Sequence, residues 1–140
     1  MVHALHEVRR VLVSQGTLID LRPLAGNWPV EVVSGRSAQE AGHVSDLPSA
    51  LEDDAAANQA IAESASQGLF RRQSEESFPF HYYWDSPNDM KAFVEEEWQG
   101  FACVTDEVWK AVRSLWISEG AQARVRVRVN MLISRWEKVG

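Results

Sequence analysis

Residues 4–23, ALHEVRRVLVSQGTLIDLRP, decide how the rest of the chain is read. Along residues 2–13 the apolar side chains Leu5, Val8, Val11 and Leu12 recur at helical spacing, one stripe on an otherwise polar cylinder. Ser14, Gln15 and Gly16 end that helix, and glycine suits the left-handed conformation that follows a helix C-terminus. Thr17 to Leu21 is β-rich and apolar on both sides apart from Asp20, which predicts a buried strand. Pro23 stops it, because proline has no N–H to give a ladder. Helix, turn and buried strand in immediate succession predict a sheet with helices packed on it.

Working outward, Trp28 to Val33 reads as a second strand, and Ser34-Gly35 as a turn leading into a hairpin partner over Ala38 to Asp46. Ser49-Ala-Leu-Glu52 has the form of a capping box ahead of an Ala-rich helix that Gly68 closes. From Leu69 to Trp84 the chain is strand-like. Phe78, Phe80, Tyr82 and Trp84 share one parity, with His81 and Tyr83 on the other. Ser86-Pro87 starts a helix whose inner stripe is Met90, Phe93, Val94, Trp98 and Phe101. Thr105 caps another, lined by Val108, Trp109, Val112, Leu115 and Trp116 and ended by Gly120. Arg124 to Val129 alternates strictly and continues to Trp136 as a half-buried strand. The order predicts an α/β chain bordering α+β, with a mixed sheet and helices packed on it, as a single domain over 1–140.

Composition narrows the class. A chain of 140 residues with 45% apolar content can bury about 70% of its unfolded surface and is not a disordered polymer. The lone Cys103 excludes an internal disulfide framework and a cysteine zinc cluster. No apolar run reaches the ~18 residues of a membrane helix, and no secretory signal opens the chain, so a cytoplasmic setting and no membrane partner are expected. The net charge of −6 is unevenly placed. Residues 121–140 carry Arg124, Arg126, Arg128, Arg135 and Lys138 against Glu137, a local +4 that leaves −10 on the first 120 residues. An acidic body argues against nucleic acid as partner.

The segment from Ala4 to Pro23 resembles a stretch of class I S-adenosylmethionine-dependent methyltransferases of the type 11-like kind. There a helix of pattern L-x-E-x-x-R-V-L leads through a Pro-Gly-Gly turn into the fifth strand of a Rossmann-like sheet. Glu7, Arg10, Val11, Leu12, Gly16 and Leu18 to Asp20 match, while Ser14-Gln15 replaces the first two turn residues. The resemblance implies a partial fold of that type, its C-terminal half. The Gly-rich turn and acidic strand end that hold the nucleoside belong to the other half, and no G-x-G occurs here. It therefore implies a methyltransferase-like protein that binds no S-adenosylmethionine alone and has no cofactor of its own. The family's fifth strand is flanked on both sides. The edge near Thr17 to Leu21 is then expected to be naked and apolar, covered by self-association or by a partner chain.

Three sets of residues could carry chemistry. Asp20 and Arg22 lie at the C-terminal end of the first strand, where open α/β sheets bind ligands, or form a buried pair. His81, Tyr83 and Trp84 could line a substrate pocket with a proton acceptor and stacking aromatics, or be core. Arg124, Arg126 and Arg128 project three guanidinium groups from one strand face. They suit a phosphate or carboxylate, or a solvated face paired with Glu95 to Glu97. His3 and His6 are one helical turn apart without a third ligand, so no metal is expected. Cys103 reads as a packed thiol. Two other readings stand beside the methyltransferase-like one. One is a small homodimeric α+β module binding an apolar or anionic small molecule; the other is a folded gene fragment without selected function.

Overall fold

The computed structural model describes residues 2–140. Helix and strand take 40% and 39% of the chain, which places it in the expected α/β to α+β class. The elements in order are α1 (Val2–Val11), β1 (Thr17–Pro23), β2 (Pro29–Ser34), β3 (Ser37–His43), β4 (Ser45–Asp46), α2 (Pro48–Ser66), β5 (Phe70–Trp84), α3 (Pro87–Phe93), β6 (Ala102–Cys103), α4 (Asp106–Glu119) and β7 (Arg124–Lys138). A single π turn over Val94–Trp98 continues α3. The chain divides into two compact units. The first comprises the residues up to Leu24, Glu52–Phe78 and Met131–Gly140; the second comprises Ala25–Leu51 and Pro79–Asn130.

In the second unit β2 pairs antiparallel with β3 and with the first half of β7, Val30 opposite Val127 and Val32 opposite Val125. The alternation of β7 puts Val125, Val127 and Val129 on one face, where they are fully buried with Val30 and Val32. Met90, Trp109 and Val112 from the helices are also buried. α4 packs on β2 and β3, and it can do so because Gly42 has no side chain. A Cβ there would lie 2.7 Å from Val108 Cγ2, and the backbone at φ +148° is one that side chains rarely adopt. Ser86 and Thr105 cap α3 and α4 as expected, accepting from the N–H groups of Asp89 and Val108.

The even face of β5 meets the helix aromatics. Tyr82 stacks on Trp84 at 5.9 Å, and both meet Phe93 and the buried Trp98. Trp98 also meets Trp28 edge-on at 5.3 Å. It is the hub of the cluster, joining the 28–30 region, β5 and the π turn.

In the first unit the second half of β7 pairs antiparallel with β1, from Thr17 opposite Glu137 to Pro23 opposite Met131. β5 also pairs with β7. Here the buried residues of β7 are Ser134 and Trp136, so the buried parity changes across the half-buried stretch Met131 to Ile133. β1 is the terminal strand of its sheet, and this corrects the expectation of a buried strand. Its even side chains are half-buried, but Thr17, Ile19, Leu21 and Pro23 are open, Ile19 at 50% and Leu21 at 55%. An apolar sequence fills both faces of a strand only when something packs on both. α1 likewise buries no residue fully, with Val11 exposed.

The capping box at Ser49 does not form. α2 starts at Pro48, two residues before the Ala50 that a Ser49 cap implies, and the Ser49 hydroxyl donates to the Gly100 carbonyl at 2.8 Å. Pro48 at the first helical position has no N–H to satisfy and a φ already set for the helix, so the start lies there.

Replacing Trp98 by Ala will cost about 3–5 kcal/mol of unfolding free energy, the range for truncating a buried large aromatic. Ile117→Ala, at a side chain 72% exposed, will stay within about 0.5 kcal/mol. Urea denaturation followed by tryptophan fluorescence and circular dichroism measures both.

Candidate functional site

A cleft of about 220 Å³ opens in the first unit beside β1, lined by residues that include Asp20, Arg22, Asn58, Arg72, Glu75 and Trp136. The period of two in β1 sets Asp20 and Arg22 on the half-buried face, and α2 contributes Asp54 and Asn58 one helical turn apart. The Arg22 guanidinium, only 16% exposed, satisfies all three: Nε donates to Asp20 Oδ2 at 3.2 Å, Nη1 to Asp54 Oδ1 at 3.3 Å and Nη2 to Asn58 Oδ1 at 2.6 Å. It thereby ties β1 to α2. Two carboxylates share one guanidinium, leaving an excess negative charge at this end. On the opposite wall the Arg72 guanidinium sits 5.9 Å above the Trp136 ring and pairs with Glu75 at 3.1 Å. The Trp136 indole N–H donates to the buried Ser134 hydroxyl at 2.8 Å, which fixes the ring. In the lining Asp20 and Glu75 are balanced by Arg22 and Arg72, and with the Asn58 amide they suit a small polar molecule that both donates and accepts hydrogen bonds.

The structure thus brings the expected pair Asp20 and Arg22 into a cleft. Asn58 and Arg72, which line it, and Asp54, which holds Arg22, were not legible as its companions. The i, i+4 spacing of Asp54 and Asn58 on one face of an Ala-rich helix was the available signal.

The other expected residues lie in the second unit, where Tyr83, Arg124, Arg126 and Arg128 share a region with Glu31. Glu31, opposite Arg126 in the β2–β7 ladder, is buried; its carboxylate receives Arg126 at 2.7 Å and lies 3.6 Å from Arg128. Burial works against the charge of Arg126, but hydrogen bonds to Tyr83 and Glu31 outweigh it and raise the guanidinium pKa above its ordinary value. Arg124 donates to Asp85 Oδ1 at 3.1 Å and lies 4.9 Å over the Tyr83 ring. The three arginines are therefore matched by acids of their own unit. Those acids are Glu31 and Asp85, in place of the expected Glu95 to Glu97; Glu95 pairs with Lys91. Glu31 was missed, although it alternates between two buried valines and so had to face the arginine side.

His81 and Tyr83 meet edge-on at 6.1 Å, while Trp84 stacks with Tyr82 on the opposite face of β5. One pocket lined by all three does not form, because adjacent strand residues point apart. Cys103, expected to be packed, is exposed at the end of the short β6. Among the described residues, no group of three His, Cys, Asp or Glu side chains could hold a metal, and no helix is long and apolar enough to cross a membrane. Comparison of the chain with protein-family models, curated proteins and solved structures finds no match in any of the three.

Arg126→Met will destabilise the protein by about 1.5–3 kcal/mol, because the buried Glu31 loses its nearest charged hydrogen-bond donor and is left with Arg128 at 3.6 Å. Glu31→Met combined with Arg126→Met will recover most of that loss. Arg124→Met, whose partner Asp85 is 87% exposed, will cost about 1 kcal/mol or less. Chemical denaturation of the four proteins measures the set.

Proposed function

We propose that this chain is a methyltransferase-like protein corresponding to the C-terminal half of that sheet, and that it does not act as an enzyme without the half that holds S-adenosylmethionine. One observation supports this reading above the others. The residues carrying the resemblance fold as helix, turn and strand, α1 to β1, and that strand has a neighbour on one side alone. Its counterpart in the family is flanked on both sides. Val11, Val13, Ile19 and Leu21, all within the resembling segment, are left 50–76% exposed. Ile19 and Leu21 lie on one face of the open strand, and apolar side chains exposed side by side mark a partner surface. In this reading the cleft at Asp20 and Arg22 takes the substrate side, while the nucleoside side belongs to the family's other half.

A second reading, a small-molecule binding module, is favoured by the cleft itself. Its lining is built by contacts between β1 and α2 whether or not another half exists. That module would use Asp20, Arg22, Asn58 and Trp136 in place of His81, Tyr83 and Trp84.

Titration of the chain with S-adenosylmethionine and S-adenosylhomocysteine by calorimetry will give no saturable heat up to about 1 mM ligand, a limit corresponding to roughly −4 kcal/mol of binding free energy. Stoichiometric binding in the micromolar range would overturn the proposal, since it requires a complete nucleoside site in this chain.

A further inference from the structure

We infer that the outer edge of β1 pairs antiparallel with β1 of a second copy of this chain, about a two-fold axis at Leu21. The direction of the backbone groups supplies the first argument. The Lys138 N–H donates to the Gly16 carbonyl at 2.9 Å, and the β1–β7 register runs without a shift from there. In an antiparallel pair the residues that bond inward alternate with those that bond outward. Gly16 bonds inward, so Leu18, Asp20 and Arg22 bond β7, and Thr17, Ile19 and Leu21 aim their N–H and C=O groups at the open edge.

Second, the edge is thinly protected: it carries no lysine and no register shift, Asp20 and Arg22 face the cleft and are bonded within the chain, and its proline is the last residue of the strand. Natural edges are blunted by lysine, inward charges, bulges or proline. Here the outward positions are Thr17, Ile19 and Leu21, with proline at the last position, Pro23. The flanking apolar side chains are half exposed and lie on one face, next to Ile133, which pairs with Leu21.

The third argument, charge, selects the occupant. Asp20 and Arg22 are two residues apart on the same face and paired within the strand, so a strand meeting itself about Leu21 sets this ion pair head-to-tail beside that of the second copy, each Asp20 opposite an Arg22. Leu21 then faces Leu21 and exchanges two main-chain hydrogen bonds with it. Each Ile19 N–H reaches the Pro23 carbonyl opposite, which needs nothing from the missing proline N–H. A two-fold at Asp20 sets two aspartates directly opposite, which is unfavourable. A two-fold at Ile19 sets Asp20 against Leu18 and adds no contact between the two ion pairs. The strand is complementary to itself in one register, as an isologous dimer requires. The inference needs the open edge alone and stands independently of the methyltransferase-like reading; S-adenosylmethionine binding does not bear on it.

The test uses the full chain. Sedimentation velocity at about 100 μM will give a dimer, and Leu21→Lys will raise the dimer Kd by more than about tenfold with unchanged circular dichroism, while Ile117→Lys leaves it unchanged. In a Cys103→Ser background, Leu21→Cys will form a disulfide-linked dimer on mild oxidation, because paired residues there bring their Cα atoms to about 5.5 Å. Ile19→Cys, facing Pro23, will cross-link far less. A monomeric chain at that concentration overturns the inference. So does a dimer that survives Leu21→Lys, which would place the contact elsewhere. Equal cross-linking at positions 19 and 21 excludes the register. If Leu21→Lys fails to fold, the pair of cysteine variants decides.

Discussion

β7 has to satisfy the backbone of β1, of β2 and of β5, and the other strands depend on how its fifteen residues are shared among them. From Arg124 to Val127 it bonds β2, and from Met131 to Glu137 it bonds β1. Each ladder demands one buried face. Over the first part that face is Val125, Val127 and Val129; over the second it is Ser134 and Trp136. Met131, Leu132 and Ile133 are all half-buried, so either parity is tolerable there, and the change of buried face falls where it costs least. Each unit takes its sheet interior from a different segment of one strand.

The uneven charge of the chain has its explanation in the same strand. Placing Arg126 in the ladder opposite Glu31 takes both charges out of water, which is favourable only with close geometry and further hydrogen bonds. The 2.7 Å contact and the Tyr83 hydroxyl supply both. Arg124 and Arg128 find Asp85 and Glu31 at longer range. The basic row answers acids on neighbouring elements before it can answer an external anion. The first unit repeats the principle with Arg22, which pairs with both Asp20 and Asp54 beside the cleft.

Much of this was legible. The strict Arg-Val alternation gave the second-unit half of β7 and its buried valines. Ser86 ahead of Pro87 gave the start of α3, Thr105 gave that of α4, and Ser34-Gly35 gave the β2–β3 hairpin. The failures share one cause, that sequence pattern reports what a residue could bury and not what arrives to cover it. Thr17 to Leu21 is apolar enough for an interior strand, yet lies at the end of a sheet. Ser49 and Glu52 spell a cap, yet Pro48 starts the helix and Ser49 turns to Gly100. Tyr83 and Trp84 are adjacent in sequence and opposite in space. For the cleft, Asp20 and Arg22 could be read from their place at a strand end. Asp54, Asn58 and Arg72 come from elements distant in the chain, and their convergence depends on β1, β7 and α2 meeting.

β1 is where fold and function touch. It bears the residues resembling a methyltransferase strand, the cleft on its half-buried face and an open edge with apolar side chains on the other face. The account claims that this edge is free within the chain and is completed from outside it. Residue-resolved amide hydrogen exchange tests that directly. In dilute protein the Leu18, Asp20 and Arg22 amides will be protected, while Thr17, Ile19 and Leu21 exchange near the unprotected rate. Raising the concentration will slow Ile19 and Leu21 selectively. Uniform protection of all six amides in dilute protein would mean that the strand is already flanked on both sides, and would contradict the account.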